Sequence, residues 1–224
     1  MATLVTQRFG SRAALDTALA ERLGQAIAAA GPSAIMLSGG HTPLTAYRTL
    51  GARRPAHVAR LHILFSDERY VPSDSEASNY RQARPLLDAL ALAPQSLLRV
   101  RTELPLGEAA ADYERSLEAL LKSGVPIGLG LLGLGADGHT ASLFSAADLA
   151  RARGHLVVAV HRPDGMSAVS VTPQLLAHVQ AVLFVVAGED KGDALRGLEA
   201  QDPSLTAWLA VQSCPAVELW FSLD

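Results

Sequence analysis

Residues 129–145 read LGLLGLGADGHTASLFS. The stretch opens as an apolar run, breaks at glycines, sets Asp137 and His139 on either side of Gly138, and continues as Thr140-Ala141-Ser142-Leu143-Phe144. A short apolar run bounded by Gly and Pro reads as a buried strand. The Gly, Asp and Thr that follow have turn and helix-start chemistry. An acid and an imidazole are therefore expected on a loop at the carboxyl end of a strand, where open α/β sheets bind ligands.

The same strand-loop-helix plan repeats on either side. Leu15, Leu19, Leu23 and Ile27 recur at helical spacing, and Gly31-Pro32 stops that helix. Ala34–Leu37 is a short strand that ends in Ser38-Gly39-Gly40-His41-Thr42-Pro43, with a helix following through Leu50. Thr42 is placed to cap that helix and Pro43 to occupy its first turn. Leu61–Phe65 is the next strand and delivers Ser66-Asp67-Glu68-Arg69-Tyr70. Helices are expected near Tyr80–Leu90 and over Leu106–Leu121, and strands at Leu156–Val160, Ala168–Thr172 and Val182–Val186. The last of these ends in Gly188-Glu189-Asp190-Lys191, ahead of a helix to Leu198. Val217–Phe221 alternates as an edge strand would. Strands alternating with helices predict an α/β fold, a largely parallel sheet with helices on both faces, in a single domain spanning 1–224.

Composition narrows the function classes. With 224 residues, 49% of them hydrophobic, the chain can bury a sizeable core. Each apolar run is interrupted before membrane-spanning length, and the first residues lack the basic-then-apolar layout of a secretion signal. A net charge of −3 argues against nucleic acid as a partner, while an anionic small molecule stays open. The single cysteine, Cys214, excludes an internal disulfide and suits a reducing, cytoplasmic location. It is read as a buried, inert thiol. With no long exposed apolar face, a monomer is expected.

Four strand-end loops carry chemistry-bearing residues. Ser38, Gly39, Gly40 and Thr42 can turn backbone N–H groups and hydroxyls on an anion, helped by the following helix dipole; a tight turn with a capping Thr is the other reading. Alternation aims Asp67 and Arg69 the same way, and Arg69 can clamp a phosphate or carboxylate in bidentate fashion. Asn79 and Arg81 downstream are weaker candidates of the same kind. In the third loop His139 is suited to proton transfer near neutral pH, with Asp137 to fix its tautomer or position substrate. In the fourth, Lys191 can serve as a point-charge ligand for phosphate. Gly128-Leu129-Gly130-Leu131-Leu132-Gly133 spells GxGxxG, but a dinucleotide loop follows a strand and these residues are the strand. The histidines at 41, 57, 62, 139, 155, 161 and 178 show no metal-ligand spacing such as HExxH, so neither a metal nor another cofactor is expected.

Taken together, LSGGHTP, FSDERYVP with SNYR after it, GLGADGHTASLF and the strand-terminal GEDK resemble the 6-phosphogluconolactonase family in order and spacing, from about Ser38 to Lys191. The resemblance implies a Rossmann-like fold shared with glucosamine-6-phosphate deaminases. It also implies hydrolysis of a sugar-phosphate lactone, 6-phospho-D-glucono-1,5-lactone, in the oxidative pentose phosphate pathway. His139 and Asp137 would then be catalytic, with substrate and phosphate held by Ser38, Gly39, Gly40, Thr42, Asp67, Arg69, Arg81 and Lys191. The deaminase relatives carry a further carboxylate after the Asp-Gly-His string; Ala141–Ser145 offers none, which favours the lactonase over a deaminase or isomerase. A sugar-phosphate sensor on this fold would need a DNA-binding segment that the sequence does not show. Two positions depart from the family pattern. Ser145 stands where Pro is usual, and Ala168 stands near a position that is Arg in many members, with Arg81, Lys191 and Arg162 as possible substitutes.

Overall fold

A computed structural model describes residues 3–53 and 60–224; Met1, Ala2 and His57 lie outside the described residues. Leu15, Leu19, Leu23 and Ile27 form one buried stripe of helix α1 (Arg12–Ile27), whose N-cap Ser11 accepts a hydrogen bond from Ala14 N–H. Then come β2 (Ser33–Leu37), α2 (Leu44–Arg53), β3 (Leu61–Phe65), β4 (Asp67–Arg69), α3 (Asn79–Leu90) and α4 (Leu106–Lys122). The second half runs β5 (Ile127–Leu132), α5 (Ala146–Arg151), β6 (Val157–His161), β7 (Ser167–Val171), α6 (Pro173–Leu176), β8 (Val182–Ala187), α7 (Gly192–Glu199), α8 (Thr206–Val211) and β9 (Ala216–Ser222). A strand not foreseen from sequence, β1 (Thr3–Arg8), precedes α1.

The main sheet has the order β1-β9-β8-β5-β2-β3, with every pairing parallel. Alternate side chains of β2 and β8 feed two cores. Ala34, Met36, Val182, Phe184 and Val186 pack on the face carrying α4, α6, α7 and α8. Ile35, Leu37, Leu183 and Val185 pack on the face carrying α1, α2 and α3. A strand buried on both faces is apolar throughout, which is why these runs lack alternation. Gly51 of α2 lets the backbone of Pro85 in α3 approach, since a side chain there would overlap the Pro85 carbonyl.

Two expectations about strands are corrected. Val217–Phe221 is not an edge strand: β9 lies between β1 and β8, and the edges are β1 and β3. Its alternation arises because Val217, Leu219 and Phe221 are buried while Glu218 and Trp220 are partly exposed. Nor do all strands join one sheet. β4, β7 and β6 form a separate antiparallel sheet in the order β4-β7-β6.

From β2 the chain continues to β3 on one side, whereas β5 is followed in the sheet by β8 on the other. The carboxyl ends of adjacent β2 and β5 therefore flank a topological switch point, which opens a crevice. Among the described residues, no helix is long and apolar enough to cross a membrane.

Candidate active site

The crevice is a cavity of about 380 Å³ lined from four strand ends: Ser38–Pro43 after β2, Ser66, Asp67 and Arg69 at β4, Gly133–Gly135 and His139 after β5, and Lys191 after β8. That volume suits a ligand of monosaccharide phosphate size. A larger cavity of about 580 Å³ lies between residues 94–101 and α4, but its Arg99 and Arg101 already pair with Glu103 and Asp112. The imidazole of His139 lines the other cavity, the crevice.

The loop after β5 is a closed turn. Gly135 N–H donates to the His139 carbonyl (2.8 Å), Gly138 N–H to the Gly135 carbonyl (3.0 Å), and the Thr140 hydroxyl to the Gly133 carbonyl (2.8 Å). Gly138 has φ +80°, where a side chain is disfavoured and would also overlap Leu205. The turn sets His139 Nδ1 2.5 Å from Asp137 Oδ1, which also accepts the His139 backbone N–H at 3.2 Å. Desolvation pushes the Asp137 carboxyl up, but the hydrogen bonds from His139 ring and backbone outweigh it and hold the group below the usual carboxylate range. The imidazole rests against Phe144, with ring centroids 4.3 Å apart. Nδ1 faces the acid, so Nε2 is the ring nitrogen left for chemistry.

Asp67 and Arg69 reach the crevice as alternation requires, while Glu68 between them points the other way. These residues are a strand, β4, paired with Ser170, Val169 and Ala168 of β7, rather than a loop. Asp67 is buried and accepts from Ser66 (3.0 Å), Asn79 (3.1 Å) and Ser142 (2.7 Å). Arg69 donates to the Ala77 carbonyl at 2.9 Å, and its buried Nε has no partner among the described residues. Glu68 is structural: it accepts Asn79 N–H (2.7 Å) and Tyr80 N–H (2.8 Å) at the start of α3, the anion position of a helix. Burial nevertheless pushes its carboxyl up to about 7. The sequence gives no sign of this role, because the pattern cannot tell a helix-capping carboxylate from a surface one.

In the first loop the Gly40 N–H, expected to face an anion, instead donates to Gln82 Oε1 at 2.9 Å. Gly40 serves the turn, at φ +91°. The N–H groups of Gly39 and Thr42 have no partner among the described residues. A side chain on Gly39 would overlap the Asn79 amide, so this glycine permits a close approach. Thr42 does not cap the helix: α2 begins at Leu44, and Pro43 supplies the carbonyl that accepts Tyr47 N–H (3.1 Å). Lys191 lines the crevice and pairs with Asp190 at 3.2 Å.

Arg81 does not join the site. It follows the N-cap Ser78 by three residues and is turned outward by helical geometry, donating to the Asp74 carbonyl and lying 3.8 Å from Glu76. Arg162 and Arg12 do line the crevice. Ser145 caps α5, accepting Asp148 N–H at 3.2 Å, a role the more usual Pro would not fill. Cys214 is buried 3.3 Å from the Leu176 carbonyl, and burial pushes its thiol up to about 12. Sequence reading missed Gly135, which packs so closely under the pair that a Cβ would overlap both His139 Nδ1 and Asp137 Oδ1.

Known proteins resemble this chain in sequence and fold. A family model described as "Glucosamine-6-phosphate isomerases/6-phosphogluconolactonase" matches residues 10–216. A 6-phosphogluconolactonase of Treponema pallidum is 37% identical over 188 residues, covering 81% of this chain and 78% of the relative. One of Synechocystis is 36% identical over 216 residues, covering 91% and 86%. The crystal structure of the Thermotoga maritima 6-phosphogluconolactonase superposes with a TM-score of 0.82 at 26% identity, covering 99% of this chain and 100% of that one. A family model over most of the chain and relatives above 30% identity agree: the chain belongs to the glucosamine-6-phosphate isomerase/6-phosphogluconolactonase family.

Proposed function

We propose that the chain hydrolyses 6-phospho-D-glucono-1,5-lactone to 6-phospho-D-gluconate, the lactone-opening step of the oxidative pentose phosphate pathway, with His139 as general base. One observation carries the reading: His139, whose Nδ1 lies 2.5 Å from Asp137, lines the same crevice as Arg69 and Lys191. The names of the relatives support the substrate.

A lactone is an activated ester, so attack by water needs only a positioned base and a stabilised oxyanion. Nε2 of His139 takes a proton as water adds to the C1 carbonyl. The tetrahedral oxyanion then collapses, the C1–ring oxygen bond breaks, and the imidazolium returns the proton to the departing oxygen. Asp137 holds the charged ring through Nδ1. Acid–base help of this kind is worth about 10²–10⁴-fold. Asp67 accepts a sugar hydroxyl, and Ser38, Gly39, Thr42, Arg69 and Lys191 hold the phosphate. An anchor remote from the carbonyl fixes the ester beside the base. We read the chain as a monomer, and its buried thiol is compatible with a cytoplasmic setting.

Acid release from freshly made lactone, corrected for spontaneous opening, tests the reading. Acceleration supports it. No acceleration, or release of ammonia from glucosamine 6-phosphate instead, overturns it.

A further inference from the structure

Arg162 is a cation of the crevice to which the mechanism above assigns nothing. It follows β6 in the hairpin to β7, closed by Arg162 N–H to the Met166 carbonyl (2.8 Å) and Gly165 N–H to the Arg162 carbonyl (3.0 Å). Its side chain is only 13% exposed. Three contacts fix the guanidinium. Asp164 accepts from Nε (3.0 Å) and from one terminal nitrogen (2.8 Å); the other terminal nitrogen donates to Ser142 Oγ (3.3 Å); and the plane lies over Phe144, 5.2 Å from the ring centroid. Asp164 is itself held by Met166 N–H at 3.1 Å. A guanidinium carries five N–H groups. These contacts use three and leave one on each terminal nitrogen, enough to meet two oxygens of an oxyanion.

Arg69 approaches from the neighbouring strand. It pairs in register with Ala168, whose other partner is Val160, two residues before Arg162. Ala168, fully buried, lies on β7 between β4, which carries Arg69, and β6, which leads into Arg162. The hydrogen bond from Arg162 is the largest influence on the Asp164 carboxyl, which is held below the usual range, and the charge of Arg69 acts in the same direction. Asp164 thus sits within the field of both guanidinium groups and offsets their repulsion.

We propose that Arg162 is a specificity-determining residue which, with Arg69, closes a two-arginine grip on the phosphoryl group of the substrate, and that Asp164 is the positioning residue that aims it. The inference rests on the lactonase reading for the substrate but not for the anion.

The test compares wild type, Arg162→Ala, Arg162→Lys and Asp164→Asn. Rates are measured on 6-phosphogluconolactone and on unphosphorylated gluconolactone, and binding of 6-phosphogluconate and of gluconate is measured by calorimetry. For Arg162→Ala the ratio of kcat/KM between the two lactones is expected to fall by about 10–100-fold, the size of a lost charge-assisted hydrogen bond, through KM rather than kcat. Arg162→Lys should restore only part of it, since an ammonium is a point charge without the fork. Asp164→Asn removes a negative charge beside an anion site yet should weaken 6-phosphogluconate binding. A ratio unchanged in Arg162→Ala, or a loss equal on both lactones, overturns the grip. Tighter binding in Asp164→Asn overturns the positioning role. Should Arg162→Ala not fold, the Lys and Asn variants decide. Should wild type open neither lactone, the lactonase reading fails, and calorimetry with 6-phosphogluconate still decides the grip.

Discussion

His139 Nδ1 lies 2.5 Å from Asp137 Oδ1, and the residue between them, Gly138, holds φ +80°. One left-handed residue thus folds an acid back onto an imidazole two positions away. The contact orients the ring and stabilises its charged form, so the acid matters most when the ring has taken a proton. Asp137→Asn should lower kcat by about 10²-fold or more, with KM little changed. Steady-state kinetics on the lactone check this, and an unchanged kcat would remove the acid from the mechanism.

Gly135→Ala should act as an indirect knockout of the pair. The added methyl overlaps both Nδ1 of His139 and Oδ1 of Asp137, so the contact must open. The expected result is a loss of kcat resembling that of Asp137→Asn, with a melting temperature near wild type because the displaced Asp137 side chain is exposed. Full activity in the variant would mean the pair tolerates separation.

Arg69→Ala should raise KM by about 10–100-fold and leave kcat comparatively intact, as loss of a remote anchor does. A fall confined to kcat would place this arginine at the reacting carbonyl instead.

Glu68 gives a pH signature. Its folded pKa, about 7, lies above the ordinary 4.5, so the folded state binds the proton more tightly than the unfolded chain. Stability contributed by the protonated group is present below pH 4.5 and is lost as pH rises toward 7. Relative to Glu68→Gln, which does not titrate, wild type should lose about 2–3 kcal/mol between pH 5 and 8. Urea unfolding at the two pH values measures the difference, and a pH-independent gap would show that the four donors around the carboxylate, the N–H groups of Arg69, Asn79 and Tyr80 and the Ser78 hydroxyl, outweigh its burial.

What the sequence could reveal follows from what each residue contacts. β2, β5 and β8 are buried on both faces, so their apolar runs are unmistakable, and the glycine, Asp and His that end them point to the crevice. β1 was hidden because it is an edge strand, largely exposed and with no apolar run. β4 was hidden because Asp-Glu-Arg becomes a strand only by pairing with β7, a partner about a hundred residues away. Side-chain direction was equally illegible: Arg69 and Arg81 look alike as strand-end and helix-start arginines, yet one enters the crevice and the other bonds its own loop. The partner of Gly40 is illegible for the same reason, since nothing local shows that Gln82 reaches its N–H.

The central claim is that His139 moves the proton of the attacking water. The rate of acid release from 6-phosphogluconolactone by His139→Gln, measured on protein whose melting curve matches wild type, tests it most directly. The account expects kcat to fall by about 10²–10⁴-fold. A variant that turns over near the wild-type rate would contradict it and move the base to another residue of the crevice.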